Sequence, residues 1–141
     1  MVNFSWPAFS VILAIILAYL PHFMKVALLT KFGKFDNKDP RAHTSQQSSV
    51  PEEKRALVTR LAGCHSNQIE MLGVYAAGVA ANLSLKKSDT ALIVFTALYV
   101  GFRALYIIFY AAPQVLRGNL RSITFVACMA TVISIWSKAA F

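Results

Sequence analysis

The sequence predicts an all-α protein that crosses a membrane as a four-helix bundle, and three observations carry the prediction. Its 141 residues are 57% hydrophobic and only 14% charged, with a mean hydropathy of +0.54, well outside the soluble average. Several apolar runs approach the length of a bilayer and are separated by polar connections, which is the pattern of a polytopic membrane protein. Polar residues inside those runs recur at helical spacing and form stripes. The length suits one domain, and no internal repeat or low-complexity tract interrupts it. The net charge of +8 could suggest nucleic acid. The basic residues cluster beside apolar runs, however, a placement that topology and anionic headgroups explain better. Cys64 and Cys128 both fall in predicted spans without a CxxC motif and read as small core residues. No metal site is expected.

The first span is predicted over 7–29. No Lys or Arg precedes it and no small-residue cleavage pattern follows, so it reads as a retained helix. Ser5 can cap it, Pro7 suits its first turn and Trp6 suits an interface. Pro21 should kink it, with His22 beside the kink in a structural role. Residues 31–51 form a basic loop containing the turn-forming sequence DNKDPR. Ser49 and Glu52 stand at capping-box spacing with Pro51 in the first turn of the next helix. That helix should run over 51–83, roughly 50 Å at 1.5 Å per residue. This exceeds a hydrocarbon core of about 30 Å, so the charged first turns should project into water and the span proper covers 57–83. Residues 82–89 form a short turn, with Ser88 a plausible cap for a third span over 89–111. A further short loop over 113–119 leads to a fourth span over 120–139, which Asn119 can cap. The loops after the first and third helices lie on one side and hold most of the Lys and Arg. The positive-inside rule makes that side cytoplasmic.

Two polar stripes are the candidate functional residues. On the second helix Arg60, Asn67 and Glu70 fall within about an 80° arc. On the third, Tyr99, Arg103, Tyr106 and Tyr110 fall within about 60° of one another. Polar and ionisable groups at membrane depth are costly unless they face a protein interior or a wet cavity. The bland readings are a polar seam that glues helices and an interfacial belt of tyrosines. Glu70 and Arg103 tip the balance towards function, and each is the obvious partner for the other. Arg117 and Arg121 flank the start of the fourth helix, where a cation and unpaired N–H groups together attract an anion. Ordinary positive-inside flanking explains them equally well.

Three segments in order resemble the MAPEG family, the membrane-associated proteins in eicosanoid and glutathione metabolism. They are NQIE over 67–70, RALYIIFY over 103–110 and LRGNLRSITF over 116–125; the DNKDPR loop adds a likeness to bacterial-type members. The resemblance implies a homotrimer of four-helix subunits with glutathione bound between neighbours, as co-substrate. It implies that Asn67, Glu70, Arg103, Tyr106 and Tyr110 hold the tripeptide, with Arg60 on the same stripe. For thiol activation it leaves two choices, Arg117 or the pair Arg121 and Ser122. We expect Arg121 to stabilise the thiolate and Arg117 to bind, because Arg121 shares its helix turn with the N–H groups. Gly63 stands where several members have a basic residue, and Met71 where some have an aromatic.

The chemistry is reasonable on its own terms. A tripeptide with two carboxylates suits paired arginines, and its ammonium suits a carboxylate such as Glu70. A guanidinium and a helix N-terminus favour thiolate over thiol. The expected activity is conjugation of glutathione to lipophilic electrophiles, reduction of lipid hydroperoxides, or both. The protein would sit among membrane lipids, as a bacterial inner-membrane protein, with its site facing the cytoplasm and no nucleic-acid partner. One rival is a non-catalytic scaffold of the same fold that binds lipid or a partner protein. A more distant one is a transporter subunit using Glu70 and Arg103 as a relay, for which repeat symmetry is missing.

Overall fold

The computed structural model describes residues 4–32, 50–112 and 119–141. The DNKDPR loop, the Ser49 cap and Arg117 lie outside them. Four helices make up the described fold: α1 (Trp6–Phe32), α2 (Glu52–Ser84), α3 (Thr90–Ala111) and α4 (Asn119–Ala140). α1, α3 and α4 are each long and apolar enough to cross a membrane. α2 is the longest at 33 residues, but its polar stripe keeps it out of that class. α1 runs unbroken through Pro21.

Local chemistry sets the boundaries. Pro51 precedes α2 in an extended conformation without a side-chain cap, and Glu52 and Glu53 occupy the first turn, where the positive end of the helix dipole favours acids. The Arg55 Nε donates to the Val50 carbonyl at 2.9 Å and holds the chain as it enters the helix. At the other end Lys86 takes a left-handed φ of 56°. Its N–H reaches the Leu83 carbonyl at 3.1 Å and that of Lys87 reaches Asn82 at 2.8 Å. This pair of bonds is a Schellman stop, here built on lysine where glycine is commoner. α3 is capped by Asp89, whose carboxylate accepts from the Leu92 N–H at 3.1 Å, one residue later than the Ser88 cap expected.

α1 packs chiefly on α2, and α3 on α4, with α2 also touching both α3 and α4. The central core joins Ala14, Tyr75, Leu92, Tyr99, Cys128 and Ile135, and both cysteines are free and buried. Tyr75 and Tyr99 stack with ring centroids 3.7 Å apart. Ser10 donates its one proton to the Pro7 carbonyl at 2.6 Å, so in the Ser10–Tyr75 contact the phenol is the donor. His65 turns from the α2 stripe towards α1, where its Nδ1 donates to the Ala18 carbonyl at 2.8 Å.

The seam between α2 and α4 is closer. A Cβ at Gly78 would lie 3.0 Å from the Trp136 indole nitrogen and 3.1 Å from Ile135. That indole donates to the Val74 carbonyl at 3.1 Å. Asn82, read from sequence as the start of a turn, is buried here and donates to Ile135 and Gly78 carbonyls at 2.8 and 3.0 Å.

Beyond the seam, a polar clasp ties the last turn of α4 to the start of α3. Lys138 meets the Asp89 carboxylate at 2.6 Å, and Lys87 donates to the Lys138 and Ala139 carbonyls, both at 3.2 Å. The Lys138 hydrogen bond, with the backbone N–H of Leu92, holds the Asp89 carboxyl below its ordinary value. A depressed folded-state pKa contributes stability above the unfolded carboxylate value and loses it as pH falls through the folded one. Melting in detergent should therefore weaken in that acid window. Asp89→Asn should flatten the pH dependence there; an unchanged profile would show that the clasp contributes nothing measurable.

Candidate functional site

At the end of the bundle opposite the clasp, three helices meet around a cavity of about 300 Å³ lined by Asn67, Tyr106, Tyr110, Arg121, Ser122, Phe125 and Val126. α2 contributes Asn67, the C-terminal half of α3 contributes the two tyrosines, and the first turns of α4 contribute the rest. Their spacing explains the convergence. Tyr106 and Tyr110, Arg121 and Phe125, and Ser122 and Val126 are each four residues apart, hence neighbours on one helix face.

The polar wall is ordered by short contacts. Asn67 donates through Nδ2 to the Tyr106 hydroxyl at 2.9 Å, a bond that fixes Tyr106 from the α2 side. The rings of Tyr106 and Tyr110 lie 5.3 Å apart and tilted. Arg121 extends its guanidinium over the Tyr110 ring, 4.9 Å from the centroid, within the range of a cation–π contact. α4 has no acid in its first turn, and Arg121 makes no ion pair among the described residues. That positive locus suits an anion. Phe125 and Val126, one turn further along the same face of α4, add apolar surface to the lining, so a charged binding locus lies beside a lipophilic one.

The remaining expected residues are placed differently. Arg103 is only 1% exposed and lies behind Tyr106, outside the cavity lining. Its guanidinium carbon is 5.3 Å from the Tyr99 centroid and 5.7 Å from that of Tyr106. Its Nε, Nη1 and Nη2 have no hydrogen-bond partner among the described residues, and Gln68 donates to its backbone carbonyl, at 3.3 Å. The expected pairing with Glu70 does not form. Glu70 is exposed on the outer face of α2, and the ion pair among the described residues is Lys138–Asp89. The physical reason is azimuth: Glu70 lies about 60° round the helix from Asn67, which turns it out of the bundle while Asn67 points in. Arg60 is half-buried two turns before Asn67, its buried Nε meets no partner among the described residues, and it does not line the cavity.

Sequence reasoning missed Phe125, Val126 and Gln68. The first two carried a usable signal, since each follows a proposed site residue by four positions. Gln68 had none, because its role depends on the neighbouring backbone of Arg103.

Fold and cavity together define a polytopic α-helical membrane protein with a polar, cationic pocket at one end of its bundle. The chain belongs to the MAPEG family, whose sequence profile matches residues 4–141, essentially the whole chain. The family comprises membrane proteins of glutathione and eicosanoid metabolism. No curated protein and no solved structure matches the chain.

Proposed function

We propose that the protein is a membrane-bound, glutathione-dependent enzyme that conjugates glutathione to lipophilic electrophiles, reduces lipid hydroperoxides, or does both. The observation that carries this reading is the convergence of Asn67, Tyr106, Tyr110, Arg121 and Ser122 on one cavity with an apolar wall. The glutathione sulfur would lie near Arg121 and the first N–H groups of α4, with the Ser122 hydroxyl as a further donor. Positive charge and donors aimed at sulfur favour the thiolate and release its proton to solvent. In conjugation the sulfur lone pair forms the new C–S bond, and the leaving group departs with its electron pair. In reduction the thiolate attacks the hydroperoxide O–O bond. The lipid alcohol leaves, and a second glutathione converts the oxidised sulfur to disulfide and water. Asn67, Tyr106 and Tyr110 supply polar contacts to the tripeptide, as does Arg117, while Phe125 and Val126 face the acceptor.

In this reading α2 crosses the bilayer alongside α1, three subunits assemble, and the pocket opens at the cytoplasmic face. Arg60 and Glu70, which face away from the cavity of their own chain, are then available to a tripeptide lying between subunits. Arg103 supports the site from behind Tyr106.

Adding glutathione to the purified protein should produce the ultraviolet absorption of a bound thiolate, together with turnover of a standard aromatic electrophile. Absence of the band, of calorimetric binding and of conjugation would overturn the proposal. One observation favours a non-catalytic lipid- or protein-binding scaffold instead: Glu70 and Arg103, two expected ligands, stand apart from the cavity. Under that reading Arg121→Ala leaves the cellular phenotype intact, whereas loss of an enzyme abolishes it.

A further inference from the structure

We infer that Gly63 is a positioning residue for this pocket: its bare backbone seats Tyr110 and, through the Tyr110 ring, sets where the Arg121 guanidinium lies. The inference rests on the proposed function for its catalytic consequence, though not for its geometry.

Gly63 lies inside α2, where a glycine costs helix stability relative to alanine. No positive φ calls for it, so conformational freedom is not the reason. Close approach is. A Cβ at Gly63 would lie 3.1 Å from the Tyr110 hydroxyl, but 3.8 Å from the ring atoms Cε1 and Cζ. The tight contact is thus with the hydroxyl alone. Gly73 on the same helix and Gly101 on α3 have nothing within 4 Å of such an atom, and Gly78 closes on Trp136 and Ile135 at the α2–α4 seam, so among these glycines only Gly63 abuts a side chain of the pocket.

Tyr110 has little freedom to yield. On one side stands Tyr106, 5.3 Å away between centroids and held by its bond from Asn67. Bulk at position 63 therefore drives the phenol off α2, towards the cavity and Arg121. Arg121 is itself exposed and makes no ion pair among the described residues, so the Tyr110 face is its observed anchor at 4.9 Å. Moving the ring moves the charge. Displacements of about 1 Å at a catalytic group can cost up to about 100-fold in rate.

Suppression supplies the test. Gly63→Leu should lower kcat/KM for glutathione about tenfold, mainly through kcat, and raise the pH midpoint of kcat. Gly63→Ala should do the same more weakly while folding normally. The Gly63→Ala effect should vanish in a Tyr110→Phe background, because the hydroxyl it strikes is gone. An equal Gly63→Ala cost with and without that hydroxyl would overturn the inference.

A ligand-free readout separates this result from the proposed function. In protein labelled with fluorotyrosine, the Tyr110 fluorine resonance, assigned through Tyr110→Phe, should shift on Arg121→Gln. Gly63→Leu should abolish that response, and a response that survives intact also overturns the inference. If the fluorine result holds while glutathione is neither bound nor turned over, the positioning stands and the enzymatic reading falls.

Discussion

Arg121→Leu is expected to lower kcat with glutathione about 100-fold, the usual size of losing one preorganised donor or charge at a developing anion. The effect should fall on activation more than on affinity. The bound thiol's pKa should rise, so the thiolate band at neutral pH weakens and the pH profile of kcat moves to the alkaline side. Three features of the site point to Arg121: its place in the first turn of α4, its contact with Tyr110 and its adjacency to Ser122 in the cavity lining. Arg117→Leu, by contrast, should chiefly raise KM, as expected of a group that clamps a carboxylate. Steady-state kinetics against pH, with the band measured in parallel, separates the roles. Loss of the band in Arg117→Leu alone, with glutathione still bound, would reverse them.

Gly78→Leu should be the most damaging single change to the fold, at about 3 kcal/mol. Its first added carbon already lies 3.0 Å from the Trp136 nitrogen and 3.1 Å from Ile135, and the rest of the side chain has no room between α2 and α4. Overpacking of this kind costs about 1–3 kcal/mol. Displacing Trp136 also breaks its bond to the Val74 carbonyl, which adds about 1 kcal/mol. Gly73→Ala is the matched control. Nothing lies within 4 Å of its Cβ, so helix propensity alone should stabilise it by about 0.5–1 kcal/mol. Reversible unfolding in mixed detergent measures both, and equal stabilities would show that the seam is not tightly packed.

Much of this was legible before any coordinates. Hydropathy fixes the helices because a run of apolar residues as long as a bilayer has few soluble uses. Tyr106 and Tyr110 could be paired because periodicity states which residues share a helix face, whereas joining Asn67 and Arg121 to them took the topology of the spans and the family resemblance. Glu70 and Arg103 show where that reasoning stops. A helical wheel gives azimuth about one axis but not which neighbour a given azimuth meets, nor how deep it is buried. Glu70 therefore turned outwards and Arg103 inwards. The cap of α3 was misplaced by one residue because Ser88 and Asp89 are both good caps, and only the Leu92 N–H distinguishes them. The contacts of Gly63 and Gly78 were not legible for a simpler reason: the value of a missing side chain depends on what the neighbouring helix brings up to it.

The unpartnered guanidinium of Arg103 bears on how tightly the membrane stays sealed. Asn67, Gln68 and the tyrosine hydroxyls thread polar groups into the bundle, and such a thread is raw material for a proton wire. Arg103 stands beside it, 1% exposed, and its guanidinium nitrogens meet no hydrogen-bond partner among the described residues. In a low-dielectric interior a fixed positive charge raises the electrostatic barrier to any cation entering, as an arginine does in water-selective pores. A buried cation beside a polar seam thus makes that seam a less hospitable path for a second cation, whatever else the seam binds.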